Sequence, residues 1–357
     1  MGADMKYSEN AINVMAARIY KGIGRAWIVR NLSDPKPEDA IVKLLNESSK
    51  SDGVITIEDF NKKKTTLRRI LSESDDAIDG VVAIGDDDFP THRGSVKNSE
   101  RPIFLFYKGD LSLLSTKSKN VAVIGLLNPT QEIEIVERKL VSGLVESGAV
   151  IVSGLALGCD TIAHLQTLDS NGKTVAILPS PLNDIMPAKN KELAKDIVKN
   201  GGLLVSEYLT APKSKMELSG RYQDRDRLQA LFSDSIVLSA SYAKNDLGND
   251  SGSRLAMGYA KDYSIPRAVI YDQEQHFRNP MFDLNRQIIQ EDPTVVVFNE
   301  KNSKSALSKI LKSSPVVEIK YPVQQSMNDY AYIEDQWPGR VKVVTLRMVP
   351  DRITSEW

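Results

Sequence analysis

Short segments rich in glycine and serine could bind an anion through their backbone amides. The clearest lies at residues 152–164, where an apolar stretch ends at Ser153 and Gly154 and a helical pattern begins near Gly158. Glycines allow a tight turn, and the N–H groups at a helix N-terminus attract negative charge. The same arrangement also occurs where nothing binds, so a purely structural role stays open. His164 fits a packed helical histidine better than a catalyst.

Three further segments place cations or small residues beside predicted strand or helix ends. Residues 220–227 contain Arg225 and Arg227, whose guanidinium groups could hold phosphates bidentately, and Tyr222, which could stack on a base. Aspartates alternate with these arginines, so ordinary ion pairs fit the pattern equally well. The other two segments contribute Lys173 with Asn190, and Ser251, Gly252, Ser253 and Arg254. The residues around Lys173 do not have the order of a Walker A loop.

Neither catalysis nor a metal site is indicated by the sequence. One cysteine, Cys159, and three histidines lack the ligand spacing of a metal cluster, and no set of nucleophile, base and orienting group occurs. We therefore expect no enzymatic turnover, no metal and no cofactor. The 46 lysines and arginines are balanced by 47 aspartates and glutamates. Any polyanion site must therefore be local.

The elements that would position these residues form an α/β pattern. From residue 121 onward, continuous apolar runs alternate with amphipathic stretches, which predicts a doubly wound, mostly parallel sheet with helices on both faces. Such sheets bind ligands outside the carboxyl ends of their strands. Residues 10–75 show helical spacing of apolar residues and predict a small helical unit. Residues 80–116 predict an additional pair of strands.

The sequence favours a cytoplasmic protein without a membrane partner. No apolar run approaches the roughly 20 residues that span a bilayer, and the first residues lack the apolar core of a signal peptide. The single cysteine also fits a reducing compartment.

Taken in order, a series of segments resembles the DprA/Smf family of DNA-processing proteins. The matching segments are residues 83–90, 107–114, 121–125, 153–160, 172–174, 206–208, 225–227 and 251–253. The resemblance implies an extended Rossmann-like domain over residues 79–298. A small helical domain of the SAM or helix-hairpin-helix type precedes it over residues 1–78, and a short α/β tail of unassigned fold follows over residues 299–357.

The resemblance also implies a function and a site. It implies single-stranded DNA as ligand, RecA as the protein loaded onto that DNA, a homodimer, a role in recombination and natural transformation, and no turnover. The DNA or phosphate site would comprise Gly125, Ser153, Gly154, Gly158, Lys173, Asn190, Tyr222, Arg225, Arg227, Ser251, Gly252, Ser253 and Arg254.

This chain departs from the family's pattern at several positions in and around that site. Leu127 and Leu157 stand where the family has arginines, and Asp226 stands where it has an asparagine. Each lost phosphate contact lowers the salt dependence of single-strand binding by about 0.7 in the logarithmic slope. We therefore expect a weaker or retuned nucleic-acid site.

Two other functions fit the same residues. A pocket with fewer cations and added leucines suits a nucleotide or its base, as in the nucleotide sensors and LOG-type phosphoribohydrolases related to the family. The Pro-Gly-Gly-x-Gly-Thr motif of the LOG enzymes is absent, which leaves a nucleotide-binding sensor as the alternative. A partner-binding protein that has lost its ligand is the third hypothesis.

Overall fold

A single large sheet organises the part of the chain that the computed structural model describes, residues 6–244, 252–315, 347–349 and 352–354. Its strands are β1 (Lys6–Tyr7), β2 (Gly80–Ala83), β3 (Phe104–Gly109), β4 (Asn120–Ile124), β5 (Val150–Ser153), β6 (Thr174–Leu178), β7 (Leu203–Ser206), β8 (Ser235–Leu238), β9 (Arg267–Ile270) and β10 (Val296–Phe298). Their order across the sheet is β1-β2-β3-β7-β6-β5-β4-β8-β9-β10. Only β3 runs antiparallel to its neighbours among these strands.

Helices cover both faces of the sheet. They are α1 (Glu9–Arg18), α2 (Arg25–Asn31), α3 (Glu38–Ser48), α4 (Ile57–Ser72), α5 (Gln131–Glu146), α6 (Cys159–Asp169), α7 (Lys191–Lys199), α8 (Lys215–Leu231), α9 (Gly252–Asp262), α10 (Gln273–His276), α11 (Asp283–Glu291) and α12 (Ser303–Lys312). Every residue of β4 to β9 is buried, because a parallel strand covered on both sides needs an apolar run rather than alternation. The predicted doubly wound, mostly parallel α/β fold is confirmed.

The winding of the chain creates a crevice at one edge of the sheet. From β4 the chain moves outward through β5, β6 and β7, and it then crosses back to place β8 on the other side of β4. The loops that follow β4 and β8 therefore leave in opposite directions. In doubly wound sheets this switch point, at the carboxyl ends of the strands, is where ligands bind.

The N-terminal helices share a hydrophobic core with the sheet. Ile12 of α1 and Ile28 of α2 are fully buried in one cluster with Ala176, Leu178 and Leu204 of the strands. The small helical unit predicted over residues 10–75 thus forms as the four helices α1 to α4, but these lie within the same compact unit as the sheet, Met1–Val317. The boundary predicted at residues 78 and 79 falls inside that unit, because the apolar faces of the helices are covered by strands.

The boundary predicted at residues 298 and 299 also falls inside this unit. Ala306 and Ile310 of α12 pack with Phe298 of β10 and with Val121 and Ile151 in the centre of the sheet. The first helix of the predicted tail, α12, therefore packs on the sheet.

The second unit, Glu318–Trp357, is described only at one antiparallel pair. Its strands are β11 (Arg347–Val349) and β12 (Arg352–Thr354). Among the described residues of the chain, no helix is long and apolar enough to cross a membrane.

The shared core predicts one unfolding transition for the N-terminal helices and the sheet. Ile28→Ala in α2 and Leu178→Ala in β6 each open a cavity in the same cluster. Each should lower the free energy of unfolding by about 2–5 kcal/mol. Thermal melting followed by circular dichroism and by tryptophan fluorescence should show the same single midpoint for each variant. Two separable transitions, with Ile28→Ala shifting only one, would contradict the shared core.

Candidate functional site

The loops at the switch point are tied together by short hydrogen bonds. Gly125 follows β4 directly, and its carbonyl oxygen accepts a hydrogen bond from the Ser253 hydroxyl of α9 at 3.0 Å. The backbone N–H of Ser239, which follows β8, donates to the Ile124 carbonyl at 2.8 Å. Ser153, at the end of β5, is buried, and its hydroxyl donates to the Val123 carbonyl at 2.7 Å. The structure thus brings Gly125, Ser153 and Ser253 to one edge, as predicted.

The glycine turn after β5 is occupied by a carboxylate of the chain itself. Asp160, in the first turn of α6, accepts hydrogen bonds from the N–H groups of Gly154 and Ala156, at 3.1 and 3.3 Å. A carboxylate on backbone amides at a helix N-terminus is in the place where an external anion would bind. The backbone amides that were predicted to bind an anion are therefore present, but they bind the Asp160 carboxylate.

The Asn190 side chain forms hydrogen bonds to the same turn. Its amide donates to the carbonyl oxygens of Leu155 and Ala156, at 2.8 and 3.2 Å, and to the Thr161 hydroxyl at 2.9 Å. The side chain is buried. Asn190 is thus placed at the predicted site, where its amide positions the backbone of the turn.

Arg225 extends from α8 into this arrangement. Its guanidinium lies 3.5 Å from Asp160 and 3.4 Å from Asp226, and only 7% of its side chain is exposed. A Cβ atom on Gly154 would lie 1.7 Å from the Arg225 Nη1 atom, so only glycine leaves room for the guanidinium. Burial raises the pKa of Asp226 to about 7, although Arg225 opposes the shift. Burial likewise raises the pKa of Asp160, again against Arg225.

Arg227 belongs to a second ion-pair network two residues further along α8. It is bonded to Glu207, which follows β7, and only 2% of its side chain is exposed. Arg25, the first residue of α2, lies 3.2 Å from Glu207 and 3.1 Å from Asp224. The Tyr208 hydroxyl donates to Asp224 at 2.9 Å. This network connects the N-terminal helices to the edge of the sheet.

Sequence reasoning missed Arg25 and the role of the carboxylates. Glu207 lies within the matched segment of residues 206–208 and was an available signal, but its partner Arg25 is 182 positions away in the chain. Burial opposes the charge on Arg25, yet Glu207 and Asp224 raise the pKa of its guanidinium above the ordinary value.

Aromatic and apolar side chains line the outer part of the site. Tyr222 is half-buried, and the Arg225 guanidinium lies 5.5 Å from the centre of its ring. Leu127 is 60% exposed, whereas Leu157 is half-buried. Gly158, which follows Leu157 in the chain, lies so close to Leu127 that a Cβ atom would be 2.5 Å from the Leu127 carbonyl. We name Leu127 and Leu157 the leucine lip.

Of three further predicted site residues, Lys173 lies away from the group above, Ser251 is not described, and Arg254 lies beside Ser253. Lys173 precedes β6, so it lies at the amino end of that strand, on the edge of the sheet opposite the site, and its ammonium donates to the Asn200 carbonyl at 2.6 Å. The prediction that places Lys173 in the strand-end site is therefore corrected. Ser251 lies outside the described residues. Arg254 lies in the first turn of α9 and is half-buried, beside Gly252 and Ser253.

A buried acidic side chain, Glu137, lies beside Cys159 and Ser239 at the switch point. Glu137 of α5 is fully buried, and burial raises the pKa of its carboxyl to about 8, although the neighbouring Cys159 thiol and Ser239 hydroxyl oppose the shift. Burial and Glu137 in turn raise the pKa of the Cys159 thiol. Cys159 is therefore a neutral core residue rather than a thiolate nucleophile.

The remaining candidate for chemistry, His164, is also a core residue. It is fully buried, its Nδ1 atom lies 2.7 Å from the Thr174 hydroxyl, and burial lowers the pKa of the imidazole to about 3. This confirms the packed histidine that the sequence favours. Among the described residues, no group of three or more histidine, cysteine, aspartate or glutamate side chains could hold a metal ion.

Close backbone contact at Gly158 predicts a specific sensitivity to a methyl group. Gly158 has a φ of +75°, and a Cβ atom there would lie 2.2 Å from the Leu126 carbonyl oxygen. Gly148 has a similar φ of +83° but nothing within 4 Å of a Cβ atom. Gly148→Ala should reduce the free energy of unfolding by about 1 kcal/mol, and Gly158→Ala by distinctly more, because the turn must also shift. Equal losses in urea denaturation would contradict the close contact.

The buried carboxyl of Glu137 predicts a pH-dependent loss of stability. Its pKa is raised from an ordinary value of 4.5 to about 8 in the folded chain. Between these values the unfolded chain releases a proton that the folded chain keeps, so the free energy of unfolding falls as pH rises. Glu137→Gln removes this loss. Its advantage over the wild type should be small near pH 5 and grow to a few kcal/mol, on the order of 1.4 per pKa unit, near pH 8.

Urea denaturation across that pH range checks the prediction on Glu137. Glu146→Gln, an exposed position at the end of the same helix, is the matched control and should show no growing advantage. If Glu137→Gln gains nothing between low and high pH, the carboxyl is not held neutral by burial.

The chain is similar to proteins that bear the names DprA and Smf. The chain is 33% identical over 189 residues to the DNA processing protein DprA of Streptococcus pneumoniae. This alignment covers 53% of this chain and 63% of that protein. It is 32% identical over 165 residues to the protein Smf of Synechocystis, covering 46% of this chain and 39% of that protein. The match thus spans less than two thirds of either relative.

The fold and the family model agree with these relatives. The X-ray structure of DNA processing protein A from Streptococcus pneumoniae superposes with a TM-score of 0.60 at 24% identity, over 82% of this chain and 95% of that chain. This likeness shows the shared fold. The model of the DNA recombination-mediator protein A family matches residues 80–306, which include the sheet from β2 to β10 and every described loop of the candidate site. This chain therefore belongs to the DNA recombination-mediator protein A family.

Proposed function

We propose that this chain binds single-stranded DNA at the carboxyl edge of its sheet and acts as a recombination mediator without enzymatic turnover. The observation that carries the proposal is the convergence of Arg25, Arg225 and Arg227 on the loops at this edge. Arginine is suited to such a role because its planar group holds phosphates bidentately. Membership of a recombination-mediator family supports the same function.

The arginines would bind phosphates by exchanging partners. Asp160, Glu207, Asp224 and Asp226 pair with them in the structure, so a phosphate has to displace a carboxylate or share its arginine. This competition lowers affinity relative to an open cationic pocket, because part of the attraction is already satisfied internally. We expect binding that is moderate and sensitive to whether the carboxylates carry a charge.

Bases would contact the outer part of the site. Tyr222 offers a partly exposed ring beside Arg225, and a stacked base gains about 1–3 kcal/mol on an aromatic side chain. The leucine lip replaces two cationic contacts with apolar surface. A smaller share of the binding energy would therefore come from phosphates, and the salt dependence would be shallow.

The wider role rests on the family alone. Within this proposal, the protein is a cytoplasmic homodimer that delivers single-stranded DNA to RecA, in recombination and in natural transformation. Family membership supports these expectations.

The leucine lip favours one alternative, a nucleotide-binding sensor without turnover. Exposed Leu127 beside the close turn at Gly158 gives an apolar surface for a single base. Arg25, Arg225 and Arg227 are already paired with carboxylates, which suits one nucleotide better than a long strand. Isothermal calorimetry with ATP, GTP and their monophosphates tests this alternative. It replaces the first proposal if a nucleotide binds and single-stranded DNA does not compete with it.

Removing the charge of Asp226 should strengthen DNA binding. Asp226 lies 3.4 Å from Arg225 and has a pKa raised by burial to about 7. As pH falls from about 8 to about 6, Asp226 gains a proton and ceases to compete for Arg225, so wild-type binding should tighten. Asp226→Asn should bind several-fold more tightly near pH 8 and should vary less with pH. Asp160, which also faces Arg225 and has a raised pKa, would retain part of the dependence.

Fluorescence anisotropy with a labelled oligo-dT, measured over a salt series at both pH values, provides the test. Asp262→Asn removes an equal charge from an exposed position at the far end of α9 and should leave affinity unchanged. Absence of salt-dependent binding by the wild type, even at low salt, would overturn the proposed function.

A further inference from the structure

A groove on the N-terminal helices lies outside the site described above. It has a volume of about 450 Å³ and runs between α2 and α3. We name it the basic groove, and it is lined by Arg30, Asn31, Lys36, Ala40, Lys43, Leu44 and Glu47. Neither the ion pairs of the strand-end site nor the shared core uses these polar side chains.

The charge of the basic groove is strongly unbalanced. Arg30 and Lys43 are exposed and Lys36 is half-buried, whereas Glu47 is the one carboxylate among the lining residues. In the part of the chain that the structure describes, no carboxylate lies within ion-pair distance of the three cations. Glu38, near the start of α3, is bonded instead to the buried Lys64 of α4. Three cations thus face one anion in a local concave surface.

Helix α2 connects the basic groove directly to the strand-end site. It begins at Arg25, which is paired with Glu207 and Asp224, and it ends at Asn31, which lines the groove. Seven residues of α-helix are about 10 Å long. Ile28 in the middle is fully buried in the core shared with the sheet, so the helix holds the two surfaces at a fixed separation.

We propose that the basic groove is a second contact for the sugar–phosphate backbone of the single-stranded DNA that occupies the strand-end site. This inference rests on the proposed function. A strand that leaves the site along α2 meets three cations within a few nucleotides. An acidic protein segment is the less favoured occupant, because such segments dock with apolar anchors and the groove offers only Leu44 and Ala40 for them.

The experiment compares a long with a short strand. The variant Arg30→Gln/Lys36→Gln/Lys43→Gln removes the three cations, and anisotropy is measured with oligo-dT of about 30 and about 6 nucleotides, the shorter near the size of a single site. For the long strand, the logarithmic salt slope should fall by about 2, since each single-strand phosphate contact contributes about 0.7. Affinity for the short strand should fall much less, because most of its nucleotides would occupy the strand-end site.

A matched control separates local contacts from overall charge. Lys304→Gln/Lys309→Gln/Lys312→Gln removes three exposed cations from α12, which covers the opposite end of the sheet. It should leave both strands unaffected. An equal loss in this control would overturn the role of the basic groove, and so would a long-strand slope that is unchanged in the groove variant.

Two results distinguish failure of the inference from failure of the proposed function. Wild-type protein that binds neither strand overturns the proposed function and this inference with it. Wild-type protein that binds both strands, while the groove variant keeps wild-type affinity for the long one, overturns only the groove. A polyglutamate peptide serves as the competing probe: if it alone loses binding in the groove variant, the groove holds an acidic protein segment instead.

Discussion

Arg225 carries a permanent positive charge into a place where only 7% of its side chain meets solvent. Removing an ion from water costs several kcal/mol even in a relaxed protein, so a buried arginine needs carboxylates or phosphates around it. Here the carboxylates of Asp160 and Asp226 pair with the Arg225 guanidinium. The surrounding loops are arranged to make this pairing possible. Gly154 leaves room for the guanidinium, and Asn190 holds the turn whose amides bind Asp160.

The same pairing decides how the site can respond to a ligand. A site that is already neutral exerts little long-range attraction on a polyanion, so encounter depends on cations elsewhere on the surface. In the proposed function, a phosphate would replace carboxylates rather than water at this site. The charge of Asp226, which lies 3.4 Å from Arg225, would therefore affect how tightly a phosphate is held. The leucine lip also weakens the long-range attraction for a polyanion, because Leu127 and Leu157 are uncharged.

Much of this architecture was predictable from local patterns. The buried strands from β4 to β9 have apolar runs, and the glycine turn after β5 has its helix start where the pattern places it. Alternation of Asp and Arg at residues 224–227 did not reveal which ions are buried, because solvent-exposed and buried pairs have the same sequence pattern. Lys173 shows that matching a family's order along the chain does not fix a residue's position in the sheet. Its segment matches the family in order along the chain, but its position before β6 puts it at the amino end of the strand. The pairing of Arg25 with Glu207 depends on packing across 182 positions, which no local pattern contains.

The shared core has a consequence for synthesis on the ribosome. Helices α1 to α4 emerge first, but the strands that cover Ile12 and Ile28 include residues as distant as Leu178 and Leu204. Until β6 and β7 have left the exit tunnel, only β2 and β3 are available to cover the apolar faces of these helices, so part of that surface has no partner in the nascent chain. Chains of this kind expose hydrophobic surface for the time that elongation takes, at about 5–20 residues per second. The order of the elements along the chain therefore leaves part of the apolar surface of its first helices accessible to chaperones during translation.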